Sequence, residues 1–294
     1  TAGGLLRAIA QLPQALRSRA RAQQLAQVSD VEVFQRHLGA YFRDRFLPVA
    51  AGERLSVLFV APYPVYPPTH GGGVFMYQTI CELAKLVDLH LIVILDWEWE
   101  LEAHQSLRSM VKSVEFLIRP PSKQKRLGSI LPHAVYEFSN ADMQWLIHKQ
   151  VLTHNIDVLQ LEYLVMGQYG LDFQRILPVL FEHDVYFQSI GRGMPFVKNP
   201  LERIQFIWEY LRAFRYETKL LPQIERIQVC SVDNRRELES FLPHLKSRID
   251  DGFRAGVDVS RYTHQAEGRE PGTVLFMGSF RHRPNVEALD WFIR

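Results

Sequence analysis

Cysteine is scarce in this chain: 294 residues hold two, Cys81 and Cys230. They show no metal-ligand spacing and no basis for a disulfide framework, which excludes a disulfide-stapled scaffold and a zinc module and fits a reducing compartment such as the cytoplasm. Both thiols are expected to be packed. Long hydrophobic runs are also missing. The longest, such as "LHLIVIL" at 89–95, are far too short to span a bilayer, and no signal peptide is visible. Charge of one sign is lacking too: 34 Lys and Arg face 32 Asp and Glu. With no basic stripe to track a phosphate backbone, nucleic acid is not an expected partner. Neither an internal repeat nor a low-complexity tract is present.

What the chain does have is a 47% hydrophobic composition, enough to bury one large α/β unit or two modest ones. Residues 1–50 read as a helical lead segment. Leu5, Leu6, Ile9, Leu12 and Leu16 fall near helical spacing among arginines. Such a helix can rest on an anionic membrane surface, but Pro13 breaks the stripe, and a linker or a packed helix is the simpler expectation. From residue 55 apolar strands alternate with helices. Strands are expected at 55–62, 89–95, 114–118, 157–164, 178–184, 226–232 and 272–279. Helices are expected at 74–87, after the cap residues Ser139 and Asn140, at 200–223 behind a first-turn proline, and at 233–242 capped by Asp233. This alternation implies parallel strands with right-handed crossovers, a Rossmann-like α/β sheet flanked by helices. The expected domains are 51–263 and, after a linker-like polar stretch, the start of a second Rossmann-like domain within 264–294. The helical pattern running to Arg294 suggests a piece of something longer.

Between the first strand and its helix lies "APYPVYPPTHGGGVFMYQ", with Gly71, Gly72 and Gly73 in a row. A loop there presents amides at the positive end of a helix dipole, where a diphosphate is favoured. It lacks the Lys-Ser/Thr of a P-loop, and Met76 stands where a dinucleotide fingerprint needs its third glycine. A ligand loop and a structural turn both remain open.

Four other places carry candidate chemistry. His183 and Asp184 follow a strand, and a histidine there can exchange a proton at neutral pH; the alternative is a structural pair. Glu162 and Tyr163 end the preceding strand, where they can meet acceptor hydroxyls or simply face solvent. In "GSFRHRPN", Gly278 and Ser279 can approach a phosphate that Arg281 and Arg283 neutralise, unless this is an exposed basic turn. In the long helix, Arg215 and Glu217 read as a solvated or ion-paired face, and Phe206, Trp208, Tyr210, Phe214 and Tyr216 as packing residues.

Taken in order, "VLFVAPYPVYPPTHGGGVFMYQTICELAK", "DVLQLEYL", "VLFEHDVYF", "IQVCSVDNRRELESF", "GVD" and "VLFMGSFRHRPNVEALDWF" resemble the landmarks of a family 4 glycosyltransferase of the two-Rossmann-domain GT-B fold, over roughly residues 55–294. The resemblance implies transfer of a sugar from a nucleotide diphosphate sugar, with retention, to a glycan, a lipid-linked sugar or a small acceptor. It implies no cofactor and no metal. Gly71, Gly72 and Gly73 would lie against the donor, His183 and Asp184 near the reacting sugar, and Gly278, Ser279, Arg281 and Arg283 at the start of the donor site. The chain departs from the pattern at "FRAGVD" (253–258), where the family's Pro-Asn step is gone. The paired glutamates that hold the donor are also not in these residues. An inactive portion missing its C-terminal domain is therefore expected. The alternatives are a sugar-nucleotide epimerase of the same fold and a non-catalytic binding module.

Overall fold

The computed structural model describes residues 2–25, 54–121, 128–173 and 176–252, and from there 256, 258–261, 267–268, 270–278, 280 and 283–294. The chain divides into two compact units, Thr1–Gly256 and Val257–Arg294. Ser279 and Arg281 lie outside the described residues, as does the lead segment beyond Leu25. The segment's first part is helix α1, Ala2–Leu25, which runs on through Pro13.

The first unit is built on seven strands: β1 Ser56–Ala61, β2 Asp88–Leu95, β3 Ser113–Ile118, β4 Val158–Glu162, β5 Leu177–Glu182, β6 Arg226–Val229 and β7 Ile249–Asp250. Their order is β3-β2-β1-β4-β5-β6-β7 and every pair is parallel. The α/β, Rossmann-like expectation holds. The central strands are continuous apolar runs because both of their faces are covered. One face buries Phe59, Leu91 and Val93 under Met76 and Ile80 of α2, Gly71–Leu86. The other buries Leu58, Leu161 and Leu180. Over that second face lie α4 (His133–Phe138), α5 (Ala141–His154), a 3₁₀ stretch at Leu164–Asp172 and α7 (Pro200–Leu220); α3 (Glu100–His104), α6 (Tyr186–Gly193) and α8 (Val232–Phe241) complete the unit.

Several boundaries differ from expectation, each for a local reason. Helix α2 begins at Gly71 rather than residue 74, because the His70 imidazole caps it: Nδ1 accepts from the Gly73 amide at 3.0 Å. The three glycines are thus the first turn of the helix. Helix α8 is capped by Ser231, whose hydroxyl accepts from the Asn234 amide at 3.1 Å. Asp233 sits in the first turn, where its charge suits the dipole. Glu217, expected on a solvated face, is fully buried, whereas Trp208, expected to pack, is largely exposed. The strand expected at 272–279 is not one. Residues 273–278 have no strand structure, and Val274, Leu275 and Met277 are exposed. A strand is held by ladder bonds to a neighbour, and the second unit offers none among its described residues. Its regular element is α9, Arg283–Ile293.

Candidate functional site

The strand order reverses between β1 and β4, and in open parallel sheets the crevice that binds ligands lies beyond the carboxyl ends of the strands at such a point. The loop after β1 is pinned. Arg119 Nη2 donates to the Pro62 carbonyl at 3.1 Å, and its guanidinium lies over the rings of Tyr63 and Phe138 and pairs with Asp96 at 3.0 Å. Further along, Nε2 of the buried His104 accepts from the Val65 and Tyr66 amides, each at 3.1 Å, while its Nδ1–H donates to the Glu100 carbonyl at 2.8 Å. Burial lowers the His104 pKa, in keeping with this neutral form. Neither residue stood out in the sequence, since nothing in a lone Arg or His shows that it holds a distant backbone.

Across the crevice stand the ends of β4 and β5. His183 Nε2–H donates to Glu162 Oε2 at 2.8 Å, and the other carboxylate oxygen accepts from Gln160 Nε2 at 2.9 Å. Glu162 is only 1% exposed. Both its oxygens are spent on the protein, so it holds His183 instead of facing solvent. With Nε2 committed as a donor, Nδ1 is the nitrogen left to take a proton.

Tyr163 covers this pair. Its ring stacks on His183 with centroids 3.8 Å apart and planes 9° apart, and Tyr63 meets it edge-on at 5.2 Å. To reach that position the residue takes φ +66, a left-handed conformation unusual for an aromatic. Burial raises the Tyr163 pKa, so the phenol stays protonated. Phe75 and Phe181 close the other edges of the imidazole at 5.1 and 4.6 Å.

The glycine turn fits against the same tyrosine. A Cβ on Gly72 would stand 2.0 Å from Tyr163 Oη, and one on Gly73 would stand 3.1 Å from the His70 ring, while Gly71 has open space around it. Gly72→Ala should therefore destabilise the fold by about 1–3 kcal/mol through overpacking. Because the clash is mainly with the phenolic oxygen, adding Tyr163→Phe should recover part of the loss. Denaturant unfolding of the single and double variants measures the coupling.

Beneath His183 the strand hides a second acid. Glu182 is fully buried, and the carboxyl group of Glu217 in α7 lies beside it. Glu217 in turn accepts from the Tyr186 and Phe187 amides at 3.1 and 2.9 Å, at the start of α6. Two carboxyls can bond each other only through a proton. Burial, with the Glu217 charge second, raises the Glu182 pKa well above its usual range, and burial pushes Glu217 up to about 7. At the end of β6, burial and then the Asp184 and Glu162 charges push Cys230 up to about 11, so this half-buried thiol is inert. The "FEHD" step held a hint of a buried acid, since Glu182 falls inside an apolar run, but its partner lies 35 residues away.

The structure thus gathers Gly71, Gly72, Gly73, Glu162, Tyr163 and His183 at one crevice, with Asp184 exposed at its rim. Gly278 and Arg283 belong to the second unit, where Gly278 packs so closely on Asn285 that a Cβ would stand 2.8 Å from its amide. Among the described residues no group of three or more His, Cys, Asp or Glu is gathered to hold a metal, and no helix is long and apolar enough to cross a membrane.

No family model and no curated protein matches the chain. Among solved structures it is similar in fold to a UDP-N-acetylglucosamine 2-epimerase from Listeria monocytogenes, at 10% identity and TM-score 0.45 over 74% of this chain and 50% of that one. A UDP-glucosyltransferase from Polygonum tinctorium matches at 12% identity and TM-score 0.40, over 65% and 50%. The UGT2 of Phytolacca americana matches at 12% and 0.38, over 61% and 48%. The chain spans about half the length of each of these solved chains.

Proposed function

We propose that this chain is the acceptor-side half of a GT-B glycosyltransferase of the family 4 kind, transferring a sugar from a nucleotide diphosphate sugar to a glycan, lipid-linked or small-molecule acceptor with retention and without a metal. The observation that carries it is the Glu162–His183–Tyr163 stack, set against the glycine first turn of α2 at the point where strand order reverses. In an open parallel sheet that point is where a phosphorylated ligand and a proton-transferring group can meet.

The parts divide as follows. The amides of Gly71 and Gly72, which have no partner within the first turn of α2, face the donor diphosphate at the positive end of the helix. Gly73 serves the cap. His183 Nδ1 takes a hydrogen bond from an acceptor or sugar hydroxyl while Glu162 keeps the ring in one tautomer, and Asp184 stands at the rim to meet sugar hydroxyls. Gly278, Ser279, Arg281 and Arg283 belong to the donor side, completed by a further Rossmann-like domain. A cytoplasmic location suits a nucleotide sugar donor.

Turnover of nucleotide sugars, followed by product release, tests the reading. This 294-residue chain should turn over far more slowly than a longer chain that completes the second unit. Equal rates overturn that expectation, and conversion of the donor without any acceptor points to epimerisation instead.

A further inference from the structure

Strand β2 leaves the sheet at its carboxyl end through Asp96, Trp97, Glu98 and Trp99, and α3 begins at Glu100. This turn is held firmly. The Glu100 carboxylate reaches back, and its Oε2 accepts from the Asp96 and Trp97 amides at 2.8 and 3.1 Å. The Glu100 and Leu101 amides donate to the Trp97 and Glu98 carbonyls, each at 3.1 Å. Both ends of the segment are fastened to the loop after β1, beside the crevice. At the near end Asp96 pairs with Arg119, which also donates to the Pro62 carbonyl; at the far end His104 takes the Val65 and Tyr66 amides.

On this fixed turn the two largest side chains are bare: Trp97 is 63% and Trp99 73% exposed. An indole gains much from burial, so two of them held out side by side in the sequence mark a surface for contact. A turn fixed in advance also loses little freedom when a ligand settles on it.

The charges say which kind of ligand. Asp96 and Glu100 are spent on the protein, whereas Glu98 and Glu102 are exposed, and no cation among the described residues pairs with them. Such a surface repels phosphates and anionic lipid. It offers indole faces, carboxylate acceptors and the indole N–H as donor. A pyranose ring matches this set, because its C–H face packs on an aromatic plane while its hydroxyls donate to carboxylates. A basic peptide is the other chemistry that acids and indoles can take, but this turn is bolted to the wall of a crevice read as a site of sugar transfer.

We propose that Trp97 and Trp99 form a stacking platform for a glycan, holding sugar rings of an acceptor chain whose end enters the crevice at His183. The choice of a glycan rests on the glycosyltransferase reading and narrows its acceptor to one class.

Isothermal titration calorimetry of the full chain with cellohexaose and with maltohexaose, one extended and one curved, tests the platform. At least one hexasaccharide should bind saturably, with an affinity that hardly changes between low and high salt because the ligand is neutral. Trp97→Ala and Trp99→Ala, at exposed positions that leave far-UV circular dichroism unchanged, should each weaken binding about thirtyfold, the usual cost of truncating an aromatic anchor. Trp99→Phe keeps a stacking face and should retain most of the affinity. The proposal is overturned if neither hexasaccharide binds, or if the two alanine variants bind like their parent. It is equally overturned by salt-sensitive binding of hexalysine in place of the hexasaccharides, abolished by Trp97→Ala, since the platform would then take a basic peptide. Failure of the glycosyltransferase reading looks different: both tryptophans hold the glycan, yet a chain with its second unit completed transfers nothing to it from a nucleotide sugar.

Discussion

Denaturant unfolding of the first unit should lose stability as the pH rises from about 4.5 through neutrality. The cause is the proton shared by Glu182 and Glu217. In the folded chain both pKa values are raised from 4.5, Glu217 to about 7 and Glu182 likewise upward, chiefly by burial. The unfolded chain releases these protons above about 4.5, so across this window it binds fewer protons than the folded one. By linkage, stability then falls with rising pH, about 1.4 kcal/mol for each unit by which a folded pKa stands above its unfolded value. The pair costs nothing below 4.5, and its share of the loss levels off once the folded groups have ionised. Glu182→Gln replaces the borrowed proton with a permanent N–H donor to Glu217. At pH 8 this variant should exceed its parent by more than about 1 kcal/mol, with the difference closing towards pH 5. Parallel profiles for the two proteins would show that no proton is shared.

In a chain competent for transfer, His183→Ala should lower kcat by two to four orders of magnitude, the usual worth of a positioned acid or base, and leave the KM of the donor nearly unchanged. Glu162→Gln should cost less, about tenfold or more, and again in kcat. It still offers an oxygen to His183, but its new amide group meets the amide of Gln160, which now donates to the carboxylate. A merely structural role for Glu162 predicts a loss of stability with kcat intact, so unfolding and steady-state kinetics on the same two variants separate the cases. The idea fails if His183→Ala keeps parental kcat.

How much of this was legible in the sequence varies with the range of the interaction. Strands β1 and β2 could be read because continuous apolar runs such as "SVLFVA" suit only a sheet covered on both faces. Asn140 caps its helix as a short polar residue before an apolar run usually does. Strand β7 escaped because two residues carry no periodicity. The start of α2 was misplaced because histidine is an uncommon cap and glycines in a row read as loop. Glu162, Tyr163 and His183 were each visible as strand-end residues. Their stacking and bonding were not, because contacts between strands depend on register, which no single strand encodes. Glu182 and Glu217 were the hardest: a charge normally argues for exposure, and only the shared proton allows two acids to be buried together.

The parallel topology also has a consequence in time. β1 takes β4 as a neighbour, and the Ser56 amide donates to Asp157, 101 residues further on, at 2.9 Å. Until that distant partner has been made, the growing chain has one side of β1 uncovered and no floor for the crevice. Contacts closing such long loops make folding slow and leave apolar edges open to aggregation meanwhile. A ribosome paused before residue 157 would hold an exposed, sticky half-sheet, a state in which a chaperone has most to grip.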